Sequence, residues 1–274
     1  MFDILSIFQF EFMRRTLLAG LLLAISLPLI GIVMINRKTS MVSDALSHVS
    51  LTGVGLGLIM GFDPVIGAIF SCIVAGFFIE IIREKMPQFG DMSVAVIMSA
   101  GLGLAVLLAD FAPGGNTFES YLFGSVSAVT VVDLIAIIIV SVLVIGISII
   151  CYSALMDLAI DLTLARLAGV QVRLINSIFT LLSAIAIALA CKVVGALLVV
   201  SLIALPVACA LIVSRSYLQT CIIAVILGVI FTMAGLIFSY FEDVRPGGSI
   251  VVASCLGIVL FLIYKHFRVL KVKK

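Results

Sequence analysis

Apolar residues run through this chain in blocks of about twenty, and short polar stretches punctuate them. Charge-poor blocks cover 16–35, 41–61, 64–82, 92–109, 134–155, 174–190, 193–213, 217–240 and 249–265. A helix needs about 20 mostly apolar residues to cross the hydrocarbon of a bilayer. The pattern therefore predicts nine spanning helices. Eight and ten are the alternatives, because no Gly-Pro turn marks a hairpin at Lys192 and because 41–61 carries charges. Two connections are long enough to hold structure of their own. Residues 111–133 can dip back against the bundle, and 156–173 reads as a short amphipathic helix ended near Gly169. Residues 1–13 read as a short interfacial helix. No duplication of the chain is visible.

Composition narrows the class. Hydrophobic residues make up 64% of the 274 positions and charged ones 11%. A soluble domain cannot hide that much apolar surface. The fold class is an all-α polytopic membrane protein, with 1–274 as a single transmembrane domain. A net charge of +2 argues against a nucleic-acid partner. Acidic Asp3 and the lack of a small-residue cleavage site argue against a cleaved signal peptide. The cysteines at 72, 151, 191, 209, 221 and 255 lie in apolar runs without a CxxC. They read as reduced thiols packed as small hydrophobes.

The few charges sort the loops into two sides. Alternating connections carry Arg37 and Lys38, Arg83 and Lys85, Arg166 and Arg173, Arg215, and the tail YKHFRVLKVKK. These are assigned to the cytoplasm, with the C-terminus there and the N-terminus outside; Arg14 and Arg15 point the other way. The opposite connections hold Asp63, Asp110, Glu119, Asp133, Glu242 and Asp243, against Lys192 and Arg245. Glu80, three residues before Arg83, is expected to pair with it or to snorkel. Pro28 and Pro206 are expected to kink their helices, and His266 to be solvated or at the headgroups.

One block is unusual in its polarity. VSDALSHVSLTG places Asp44 and His48 four residues apart inside a span. On a helical wheel with Asp44 at zero, His48 lies at about 40°, Thr52 at about 80° and Ser47 at about 300°. Such an arc needs a partner helix or water, not lipid. His48 lies roughly 10 Å inward from residue 41. Gly53, Gly57 and Gly61 follow at four-residue spacing and permit close helix approach. A carboxylate and an imidazole one turn apart can reach one ion. One hard oxygen and one borderline nitrogen suit zinc, manganese or iron(II). Two ligands are too few for tight binding, which fits a waypoint on a transport path that Ser47 and Thr52 would help to line. The spacing leaves two other readings open: a hydrogen-bonded pair joining helices, and a proton relay.

Other chemistry is missing. There is no GxxxxGK[ST], HExxH or GxSxG. Ser47 and His48 point about 100° apart and make no nucleophile–base pair. The chain reads as a transport subunit, not an enzyme, driven by a partner ATPase or by an ion gradient. An ion-gradient-driven secondary metal transporter is the alternative; it should show repeated halves and broken helices.

Four ordered stretches bring a family into view. SDALSHVSLTGVGLG (43–57) resembles the second-helix signature of the permease subunits of bacterial ABC importers for zinc, manganese and iron. SYLFGSVSAV (120–129) resembles their outer loop, DLTLARLAGV (161–170) their cytoplasmic coupling segment, and KVVGALLVVSLIALPVACA (192–210) their long late span. The resemblance covers nearly the whole chain. It implies a type II ABC importer permease fold, similar to that of the cobalamin importer permease, in the bacterial cytoplasmic membrane. It implies a homodimer forming the pathway, two cytosolic ATP-binding subunits, and an extracytoplasmic metal-binding protein or lipoprotein. The permease would hold no cofactor of its own, only the transported ion. The metal role carries over to Asp44 and His48, and ATPase coupling to Asp161, Leu162, Ala165 and Gly169. Thr52 stands where many manganese-type members have Pro, which tilts the reading toward zinc. Leu162 and Thr163 stand where an acidic residue is frequent.

Overall fold

The structure is a computed structural model that describes residues 10–113, 115–125, 129–160 and 162–272. Among the described residues there are twelve α-helices and no strands. These are α1 (Glu11–Asn36), α2 (Ser40–Met60), α3 (Pro64–Lys85), α4 (Gly90–Phe111), α5 (Gly115–Phe123), α6 (Val131–Ile150), α7 (Tyr152–Ile160), α8 (Leu162–Leu167), α9 (Val172–Val193), α10 (Val199–Val213), α11 (Tyr217–Glu242) and α12 (Pro246–Val272).

Eight of them, α1–α4, α6, α9, α11 and α12, are long and apolar enough to cross a membrane. The ninth predicted span is divided. Residues 193–213 do not form one helix: α9 runs on through Val193, the chain turns at 194–198, and α10 has only 15 residues. At about 1.5 Å per residue that is roughly 22 Å, short of a full crossing. Gly195 at the start of the turn has φ 98°, a conformation only glycine takes readily. α10 stands as a shorter apolar helix beside the eight.

Local chemistry sets the helix ends. Asp63 caps α3 by accepting from the Val65 amide at 2.9 Å, with Pro64 at the first helical position. Thr130 and Asp133 form a reciprocal capping box that starts α6. Gly61 ends α2 in the left-handed region at φ 76° with open space around it. Gly53 and Gly57 do what their spacing predicted. A Cβ on Gly53 would overlap the Gly67 carbonyl, and one on Gly57 would lie 2.7 Å from the Pro64 Cα. The α2–α3 hairpin closes on bare backbone there. Pro28 and Pro206 lie buried inside α1 and α10.

Charged connections gather around two cavities. Arg37, Arg83, Arg166 and Arg173 line one cavity at one end of the bundle. Glu119, Asp243 and Arg245 line another cavity, with Phe12 from the start of α1. Glu11–Met13 form the first turn of α1; the rest of the predicted interfacial segment, residues 1–9, lies outside the described residues.

The 111–133 connection does fold back. α5 lies against the turn between α9 and α10: the amides of Ala196 and Leu197 donate to the carbonyls of Tyr121 and Leu122 at 2.8 and 3.3 Å. Gly124, at φ 78°, passes so close that a Cβ would sit 2.6 Å from the Val194 backbone. Beside this crossing Lys192 Nζ bonds Asp133 Oδ2 at 2.6 Å, with the two side chains 13% and 6% exposed. Burial pushes the Tyr121 phenol above its ordinary range, and the nearby carboxylates of Asp63 and Asp133 add to the shift. Arg245 reaches across to Glu119 at 3.0 Å and lies over the Phe123 ring.

Candidate metal site

α2 is wedged between α3 and α4 and also packs on α9. Most of its circumference is therefore closed. Ala45, Leu46, Ser47, Leu51 and Val54 have essentially no exposure. One stripe stays open: Met41, Asp44, His48, Leu56 and Ile59. On the wheel these fall between about 0° and 120°. The Asp44 side chain is 39% exposed and that of His48 15%.

Within that stripe His48 Nε2 lies 3.6 Å from Asp44 Oδ1. This is too long for a hydrogen bond. His48 Nδ1 is buried without a partner. Neither residue makes a hydrogen bond to another helix among the described residues, so the pair does not join helices within one chain. It presents an oxygen and a nitrogen, unclaimed, at the spacing an ion would use. Two ligands of a tetrahedral ion with bonds of 2.0–2.1 Å stand about 3.3 Å apart. Among the described residues no group of three or more His, Cys, Asp or Glu comes together. Among the described residues this stripe offers two ligands from one chain.

Within this one chain the rest of the expected polar arc is turned elsewhere. Ser47 is fully buried, and its hydroxyl donates to the Ser43 carbonyl of its own helix at 2.9 Å. Ser43 and Ser50 bond back in the same way, at 2.6 Å each. A serine that satisfies itself on its own helix can sit at a helix–helix contact without a polar partner. Thr52 is 8% exposed and donates to the Gly101 carbonyl of α4 at 2.7 Å. Neither side chain is open to a path within this chain.

The cysteines are all free thiols. Cys72 donates to the Leu46 carbonyl at 3.2 Å and Cys191 meets the Ser50 hydroxyl at 3.1 Å. They support the back of α2 and stay out of the open stripe. Glu80 accepts from Thr180 of α9 at 3.2 Å, and no ion pair with Arg83 forms among the described residues.

In the 156–173 connection the described helices α7 and α8 lie on either side of residue 161, and a turn through Gly169 at φ 81° follows them, where the helix was expected to end. Leu158 and Ala165 are buried against Val172. Gly169 is exposed, with open space where a side chain would start. The exposed apolar groups here are Ile160 and Leu167. Asp161 lies outside the described residues, as do the side chains of Leu162 and His266.

Comparison with known proteins agrees with this architecture. The profile of the ABC 3 transport family matches residues 9–265. A probable metal transport system membrane protein of Treponema pallidum is 33% identical over 254 residues, which are 93% of this chain and 96% of that protein. The high-affinity zinc uptake system membrane protein ZnuB of Haemophilus influenzae is 30% identical over 93% of this chain and 98% of its own length. The manganese import system permease protein ScaB of Streptococcus gordonii is 29% identical over 97% and 96%. Among solved structures, PsaBC from Streptococcus pneumoniae in complex with Fab superposes with a TM-score of 0.84 at 26% identity, covering 94% of this chain and 93% of that one. The chain belongs to the ABC 3 transport family, as the multi-pass membrane permease subunit of an ABC importer of the kind its four ordered stretches resemble.

Proposed function

We propose that this chain forms the translocation path of an ATP-driven importer of divalent transition-metal ions, with Asp44 and His48 as the waypoint. The observation that carries this reading is the open stripe on α2. In a helix otherwise closed by its neighbours, the carboxylate and the imidazole stand 3.6 Å apart on the only unpacked face, with no partner from another helix. Two copies facing each other across that stripe would supply two oxygens and two nitrogens, the number a four-coordinate ion needs. A homodimer is thus the state in which the site is complete. Two ATP-binding subunits would dock at the arginine-rich end, around Leu167 and Gly169. An extracytoplasmic binding protein would deliver the ion at the end bearing Glu119 and Asp243. The basic loops put the arginine-rich end in the cytoplasm.

Zinc is the favoured ion. Its affinity for oxygen–nitrogen sites exceeds that of manganese without help from geometry. Adjacent ligands of an octahedral ion with bonds near 2.1 Å stand about 3.0 Å apart. The observed 3.6 Å lies nearer the tetrahedral spacing. The named relatives include both zinc and manganese systems. The test is metal uptake by mass spectrometry in cells, with recovery of the bound ATP-binding subunit as control. Asp44→Asn and His48→Ala should each abolish uptake while the complex assembles. Normal uptake by both removes the waypoint. Rescue of a metal-starved deletion strain by manganese but not zinc removes only the choice of ion.

A further inference from the structure

At the arginine-rich end a cavity of about 860 Å³ opens between the ends of α1 and α3 and the starts of α4 and α9, beside α8. Arg37, Arg83, Arg166 and Arg173 line it, against Glu80, Glu84 and Asp91, which leaves 4 − 3 = +1. Arg173 is taken by Glu84 at 2.7 Å, and Glu80 accepts from Thr180. The side chains of Arg37, Arg83 and Arg166 have no hydrogen bond or ion pair among the described residues. Arg37 is half-buried. Burial pulls its pKa below the ordinary value; Glu80 opposes the shift and Arg83 adds to it. A guanidinium cannot escape this cost by losing its proton, and a desolvated charge without a partner is expensive. The cavity is one anion short. The Asn176 amide oxygen is also buried there without a hydrogen-bond partner.

The cavity continues into an apolar groove of about 720 Å³ between α3 and α9, and the two share Glu80, Glu84, Arg173 and Ser177. Ile73, Phe77, Phe78, Ile81 and Leu181 form much of the groove wall. From residue 73 to 81 of α3 is about 12 Å of helix, most of one leaflet's share of a hydrocarbon core about 30 Å thick. A small anion would fill the cavity and leave the groove empty. An uncharged lipid would fill the groove and leave the arginines without a counter-charge. Basic pockets between membrane helices attract anionic headgroups.

We propose that cavity and groove form one binding site for an anionic phospholipid, with its phosphate against Arg37, Arg83 and Arg166 and one acyl chain between α3 and α9. A headgroup hydroxyl would give the Asn176 oxygen its donor. The site is separate from the Asp44–His48 stripe, and its test does not depend on metal transport.

The experiment is native mass spectrometry of the purified full-length chain. It is equilibrated with dioleoyl phosphatidylglycerol, with dioleoyl phosphatidylcholine, or with glycerophosphoglycerol, which is the headgroup alone. Phosphatidylglycerol should be retained at least fivefold better than phosphatidylcholine. Arg83→Gln and Arg166→Gln should each lower that retention about fivefold. Leu181→Trp, at a position 46% exposed, should fill the groove and lower retention with the arginines intact. Equal retention of the two lipids overturns the proposal. So does displacement of phosphatidylglycerol by the headgroup alone, which would make the site one for a free phosphate. Expulsion of the lipid when the ATP-binding subunits are added would also overturn it, and would make the face a protein contact.

Discussion

Replacing Lys192 by Met should destabilise the bundle, at the end where α5 crosses the turn before α10, by about 3–5 kcal/mol, the cost of breaking a buried ion pair from one side. The magnitude follows from what is left behind. Asp133 Oδ2 receives Lys192 Nζ at 2.6 Å, the Thr130 amide at 2.8 Å and the Thr130 hydroxyl at 2.6 Å. The two donors from Thr130 survive the substitution, at about 1.5–3 kcal/mol each as bonds to a charged group. They held the cap before the change and cannot replace the lost cation. The carboxylate, 6% exposed, has little water to turn to. The intact pair is worth much less than the cost of breaking it, because both ions were desolvated to make it. The double variant Lys192→Met, Asp133→Asn should therefore recover most of the loss. The chain has no Trp, but Cys72, Cys191 and Cys209 are buried thiols, so heating with a thiol-reactive dye reports unfolding. At roughly 2–4 °C per kcal/mol the single variant should melt about 6–20 °C below the wild type. A loss under about 3 °C, or a double variant as unstable as the single, would refute the reasoning.

Three further outcomes are expected. Gly53→Val should cost about 3 kcal/mol or more in the same melting assay, since its Cβ would meet the Gly67 carbonyl, backbone that cannot step aside. Thr52→Val should cost about 0.5–1.5 kcal/mol by removing the second bond to the Gly101 carbonyl, which keeps its helical one, yet leave the ratio of zinc to manganese uptake unchanged; a changed ratio would return Thr52 to the path. Gly169→Trp, at an exposed turn, should leave the melting point within a few degrees and uncouple ATP hydrolysis from transport. Ala165→Arg, in a fully buried position, should instead lower the melting point sharply.

The spans were legible because lipid imposes one simple demand: about twenty apolar residues per crossing. That demand fails at 193–213, where apolar content alone gives no sign of a break. The signal was present in Gly195, but a glycine in an apolar run is as often a packing notch as a turn. Only the partner shows which: the α5 backbone at Tyr121 and Leu122, some seventy residues earlier, fills the hydrogen bonds that the turn opens. The coupling segment meets a related limit. Helical spacing marked 156–173 as amphipathic, and Leu158 and Ala165 do pack on Val172. Periodicity states that a face will be covered and is silent on whether the cover is another protein or the next turn of the same chain.

Two of the charged pairs, Asp44–His48 and Asp133–Lys192, show the same limit from the side of function. Asp44 and His48 are four residues apart, so the helix alone brings them together, and the spacing was enough to find them. Asp133 and Lys192 are 59 residues apart and meet only through the fold; nothing local marks either as buried. The helix does not decide what a pair is for, and burial does. Lys192 and Asp133 are closed in, in contact, and further bonded through Thr130, which is the condition of a fastening. Asp44 and His48 stand just out of bonding range on an open stripe, with a ring nitrogen left unpartnered, which is the condition of a site awaiting a ligand. Ser47 and Thr52 shared the sequence signature of the second pair and took the environment of the first. A polar arc read from a wheel is therefore a set of candidates, and the side chains that a helix leaves both unpacked and unbonded are the ones to carry chemistry.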